Sequence, residues 1–199
     1  MDAAIDQRWV AAVRRGAATL APLALVLALA VASASSQEPP VPLADGDDTR
    51  SALDLRAVNT AYEGADLTFT IATYGRWPRL AMVDRGFFAV HLDPGTGQRY
   101  FALVRFTRRR TLAILFRKEG TRGVRLTRLR VRRSDRTSVS VWIPAQRLGL
   151  TTPGQVYAWR VQSLWTGRKC KRVCLDRAPD AVDAIATVPP ATPPPPPPP

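Results

Sequence analysis

Three arginines at alternate positions, Arg128, Arg130 and Arg132, together with Trp142 further along, are the residues best placed to do chemistry. Alternate side chains of an extended strand share a face, so the three guanidiniums stand in a row. If Val131 pairs near Val139 in a returning strand, they lie opposite Trp142, Ser140 and Ser138. A guanidinium holds anionic groups through paired hydrogen bonds, and an exposed indole stacks on a sugar or base. The pattern predicts non-covalent recognition of an anionic polymer or glycan. The alternative is structural, with Arg128 lying over Trp142 on a solvated sheet face.

Catalytic material is sparse. The chain has a single histidine, His91, no Gly-x-Ser-x-Gly elbow and no phosphate-cradling loop. Asp54, Glu63, Asp66, Asp84 and Asp93 all fall beside turns or strand ends, where solvated acids belong, rather than in a pair across a cleft. No catalytic residue, no metal site and no cofactor is expected. The only two cysteines, Cys170 and Cys174, read as a small disulfide loop. Zinc would need three or four ligands, and His91 is far away in sequence.

The chain carries 29 basic and 16 acidic residues, a net charge of +13. Arg105 to Arg136 holds thirteen arginines and lysines against Glu119 and Asp135. Such a face attracts polyanions by its field and by counterion release. Arginine dominance over lysine also fits a codon bias, which explains the choice of base but not the local excess of charge.

The ends set the compartment. Arg8, Arg14 and Arg15 precede an uncharged run, Gly16 to Gln37, with an apolar centre and a small-residue end. That is the order of a signal peptide, with Ala32 and Ala34 at the positions signal peptidase reads. Cleavage after Ala34 is expected, and with it export to the outside or the cell surface. The alternative is an uncleaved membrane anchor, since about 20 apolar residues span a bilayer. Residues 35–49 read as a Pro/Asp-rich linker, and residues 178–199 as a disordered tail ending in the run Pro193 to Pro199. That run is a stiff polyproline rod, either low-complexity sequence or a ligand for a protein partner.

Residues 50–177 are left for one folded domain, expected to be a monomer. They read as strands: Leu53–Tyr62, Leu67–Tyr74, Phe87–Leu92, Arg99–Phe106, Thr111–Arg117, Val124–Arg133, Thr137–Ile143 and Gln155–Trp165. Turn signals recur every 8–12 residues or so, which predicts an all-β, antiparallel, jelly-roll-like sandwich of about eight strands. Leu67, Phe69 and Ile71 should face inward, as should Val139, Val141, Ile143, Tyr157, Trp159 and Val161. Leu112, Ile114 and Phe116 share one face. The alternation in Val124–Arg133 slips near Thr127–Arg128, the mark of a bulge. Trp77 falls on a loop, as a half-buried anchor or a second stacking ring.

The opening Leu53-Asp54-Leu55-Arg56-Ala57-Val58, the strand Leu67 to Ile71 and the strand ending in Leu92-Asp93 before a Gly-rich turn form a recognisable order. With the Ile143-Pro144-Ala145 to Leu148-Gly149 corner and Tyr157 to Ser163, the order resembles secreted bacterial modules of the DOMON and carbohydrate-binding-family-9 type. The resemblance implies a jelly-roll-like sandwich that binds sugars or haem in some relatives, and it transfers no site. For haem it would point to Met82 and His91, and for calcium to Asp93, which here stands as the one carboxylate of its turn.

Overall fold

The computed structural model describes residues 42–167, 170 and 172–190. The leader with Ala32 and Ala34, the run Pro193 to Pro199, and Arg168, Lys169 and Lys171 lie outside the described residues. The strands are β1 (Leu43–Ala44), β2 (Leu55–Glu63), β3 (Asp66–Thr73), β4 (Gly86–Asp93), β5 (Tyr100–Phe106) and β6 (Thr111–Glu119). They continue with β7 (Arg122–Arg133), β8 (Ser138–Pro144), β9 (Val156–Trp165), β10 (Cys174–Ala178) and β11 (Ala184–Thr187). A short helix, α1 (Arg79–Met82), lies between β3 and β4, and a 3-10 turn (Ala145–Leu148) between β8 and β9.

Every pairing is antiparallel, in the order β1-β2-β3-β8-β7-β6-β5-β4-β9-β10, with β11 also on β9. Strand β7 belongs to both halves. Its first part pairs with β6 and its last residues, Arg130 to Arg133, pair with β8. The two faces of the sandwich are therefore one continuous, nearly closed sheet, as the sequence pattern predicts in class. The crossings after β3 and β8 run together: β3 neighbours β8, and β4 neighbours β9.

Period-two alternation fills the interior. Leu67, Phe69 and Ile71 of β3, Val139, Val141 and Ile143 of β8, and Tyr157, Trp159 and Val161 of β9 are all buried, as expected. Phe69 meets Trp159 edge-on at 5.4 Å. On β6 the core side is Ala113 and Leu115, so Leu112, Ile114 and Phe116 share the outer face. Trp77 is not a half-buried anchor: it is fully buried, 5.0 Å from Phe106 and 5.9 Å from Phe88. The β3–β4 crossing packs onto the core, where the Trp77 ring lies against β4 and β5 and under Arg133 of β7. The indole N–H donates to Thr73 Oγ1 at 2.9 Å, so burial leaves no donor unsatisfied.

Both ends of the domain reach further than the sequence suggests. Leu43 and Ala44, in the expected linker, pair with Val58 and Ala57. Ala184 to Thr187, in the expected tail, pair with β9. These segments cover edges through backbone bonds, which leave no alternation of side chains to read. The disulfide Cys170–Cys174 forms, with Cα atoms 5.5 Å apart, at the turn into β10. Gly86 opens β4 where a Cβ would sit 2.9 Å from Leu53 Cδ1 and 3.1 Å from Met82 Sδ, so a larger residue would have to push those side chains aside.

The two faces of β6 make a direct test. Leu115→Ala should cost about 2–5 kcal/mol in urea denaturation, whereas Leu112→Ala, on the outer face, should cost roughly 1 kcal/mol or less.

Candidate functional site

The basic face is built by one extra residue. Leu115 pairs with Thr127, but Phe116 pairs with Arg125, leaving Leu126 unmatched. A bulge flips the parity of everything beyond it. Arg125 therefore joins Arg128, Arg130 and Arg132 on the outer face, although its position is odd and theirs are even. The sequence signal for the bulge lay one residue too late.

Register then sorts the predicted site. Val131 pairs with Val141 rather than Val139, so Arg130, not Arg128, stands opposite Trp142, and Arg132 stands opposite Ser140. The connecting loop sets this offset: Asp135 Oδ1 accepts from Thr137 N at 2.6 Å and from Thr137 Oγ1 at 2.8 Å. Arg130 lies 4.2 Å over the Trp142 ring. Trp142 Nε1 donates to Glu63 Oε2 at 2.7 Å. Asp66 and Glu63 approach Arg130 at 3.6 and 3.9 Å. The stacking half of the expected site is thus engaged in a structural cluster. Arg125, Arg128 and Arg132 are exposed, and among the described residues no carboxylate pairs with them.

An aromatic platform was missed. Phe101 and Phe116 stack on the outer face at 4.9 Å with planes 7° apart, and His91 lies 6.2 Å from Phe101. Across the sheet, His91, Phe101, Phe116 and Arg125 form one row, and Ala89, Leu103, Ile114 and Arg128 the next. Each row ends on an arginine of β7. A Cβ on Gly123 would fall 2.7 Å from Phe101 Cζ, so only glycine lets that ring lie against β7. The signal was present: Arg99–Phe106 is apolar at both parities, which marks a central strand but also an apolar outer surface.

The remaining candidates are placed elsewhere. His91 is half-buried with Nε2 3.3 Å from Gln162 Oε1. Burial pushes its pKa below the ordinary histidine value; Gln162 opposes this, and Arg160 and Lys118 reinforce it. Met82 is buried in the core while His91 is on the outer face, so the two cannot flank one haem. Asp93 is committed to its turn: Oδ1 accepts from Gly95 N at 3.0 Å and Oδ2 pairs with Arg99 at 2.9 Å.

Asp54, expected among solvated acids, is 2 % exposed. Its Oδ1 accepts from Thr49 N at 3.1 Å and Thr49 Oγ1 at 2.7 Å. Asp176 of β10 is also buried, and its Oδ2 accepts from Leu55 N of β2 at 2.6 Å, joining the two edges of the open sheet. Burial, with Asp45 and Asp48 nearby, pushes the Asp176 pKa up to about 7 against two opposing backbone N–H bonds. No helix among the described residues is long and apolar enough to cross a membrane.

Comparison of the chain with protein-family models, with curated proteins and with solved structures gives no match in any of the three.

His91 generates a prediction of definite sign. Its folded-state pKa lies below the unfolded one, so its contribution to stability is present above about pH 6.5 and lost as pH falls through the folded value. The loss of thermal midpoint between pH 8 and pH 5 should be smaller for His91→Gln than for the native chain. Equal losses would show that His91 charges without cost.

Proposed function

We propose that this protein is an exported, non-catalytic binding module that recognises an anionic cell-wall polymer or acidic glycan. The observation that carries the reading is the row Arg125, Arg128 and Arg132, exposed on one face and without carboxylate partners among the described residues. A repeating polyanion presents charges at intervals along its length, and a row of guanidiniums is a fixed array that meets several at once. Phe101 and Phe116 border the row and offer an apolar surface to the faces of sugar rings between the charges. Trp142 and Arg130, spent on Glu63 and on each other, shape the edge of this surface. The resemblance to DOMON and carbohydrate-binding-family-9 modules supports the same reading, as does the signal-like leader.

Binding to wall teichoic acid, polygalacturonate and a neutral glucan should be compared by co-sedimentation over 20–500 mM salt, a range of roughly 4 to 20 Å in screening length. Affinity for the two polyanions should fall steeply with salt, and the neutral glucan should not bind. Arg128→Ala and Arg132→Ala should each weaken polyanion binding several-fold and flatten the salt dependence. Phe116→Ala should weaken binding without changing that slope. Truncation after Val188 should leave it intact. Salt-insensitive binding would assign recognition to aromatic stacking rather than to the arginine row, and binding lost only on truncation would assign the function to the tail and a protein partner.

A further inference from the structure

The chain holds 29 basic side chains, yet its buried acids sit together where no base reaches them. One carboxylate oxygen from each of Asp48, Asp54 and Asp176 lies within 4.8 Å of the other two. Asp45 and Asp47 stand close enough to act on the same carboxyls. Among the described residues no arginine or lysine forms an ion pair with any of these five. Arg50 borders the adjoining cleft but is itself exposed.

A second, independent feature is the orphan oxygen. Asp54 is 2 % exposed, and while its Oδ1 is bonded to Thr49, its Oδ2 is buried with no hydrogen-bond partner. Leaving a charged oxygen buried and unpaired costs several kcal/mol or more, so such atoms mark a missing partner. Without a ligand, a proton shared with Asp47 can neutralise this carboxyl; a bound partner that takes the proton's place must be positive and small, and must bind oxygen. A hard divalent cation meets all three conditions.

We infer that Asp48, Asp54 and Asp176 form a calcium site that fastens the open edges of the sheet. Calcium sits about 2.3–2.6 Å from each oxygen, so oxygens across one ion stand up to about 4.6–5.2 Å apart. The three oxygens, all within 4.8 Å of one another, fit inside that span. Magnesium, at about 2.0–2.1 Å, needs a tighter set of ligands and keeps more of its water. Asp48 and Asp54 both lie in the stretch between β1 and β2, whereas Asp176 is in β10, so one ion ties the first edge of the sheet to the last. Calcium modules that work outside cells bind at about 10⁻⁴–10⁻³ M, and an affinity in that range is expected here. The inference is independent of the anion-binding reading, because the ligands share no residue with that face.

The test uses the full chain, freed of metal with EDTA and dialysed. Thermal unfolding is followed over a calcium series, with magnesium at equal ionic strength as control. The midpoint should rise by roughly 4–6 °C at ten times Kd, and magnesium should give less than half of that rise. Terbium luminescence sensitised by Tyr74, whose hydroxyl bonds to Asp45 O at 2.7 Å, should appear and be displaced by calcium. Asp48→Asn, at an exposed position, and Asp54→Asn should each weaken calcium at least tenfold. Asp48→Asn keeps the test valid should a buried substitution fail to fold. No midpoint shift and no terbium signal at 10 mM ion overturns the inference. So does a calcium shift that persists undiminished in both variants.

Discussion

One strand has to serve two sheets, and the rest of the molecule follows from that. β7 pairs with β6 over its first part and with β8 over its last residues, so it turns the corner of the sandwich without a break. The changeover falls between Leu129 and Arg130, three residues past the unmatched Leu126, whose bulge sharpens the local twist of the strand. The same extra residue moves Arg125 to the side of Arg128, Arg130 and Arg132. The bulge beside the changeover therefore gathers the positive charge into one row.

Charge is segregated, and each part is held by a different means. The arginines line the outer surface of the corner, where water and salt screen their mutual repulsion. The buried acids collect at the opposite boundary, where β2 and β10 approach through the Leu55–Asp176 hydrogen bond. Burial there raises Asp176 and Asp54 above the ordinary carboxylate range. Repulsion in the seam cannot be screened by water in the same way, which is why that boundary, rather than the basic corner, is the electrostatically frustrated part of the fold.

Much of the architecture was legible in advance. Eight strands, their inward faces on β3, β8 and β9, the disulfide Cys170–Cys174 and the bulge in β7 all follow from alternation, turn residues and cysteine count. The elements that were missed share one property. β1, β10 and β11 are strands of two, five and four residues at the boundaries of the sheet, too short to write an alternation that can be read from side chains. Trp77 looked like a loop residue because its neighbours are turn-formers, but a loop that packs onto the core belongs to it. Asp54 looked solvated because it precedes a strand, but its fate depends on β10, far off in sequence.

Residue order is enough for the class: period-two alternation makes strands, and an apolar face on each strand makes them pack as a sandwich. It also determined the sign of the surface, since thirteen bases between Arg105 and Arg136 remain basic in any fold. Tertiary structure alone decided which arginine meets which aromatic ring. A two-residue change in register put Arg130, rather than Arg128, over Trp142, and the loop around Asp135 sets that register. It alone brought Asp48, Asp54 and Asp176 together, because their contact depends on how the first and last strands of the sheet meet. Local residue types govern local conformation, whereas a site assembled across strands depends on pairing offsets that no single segment encodes.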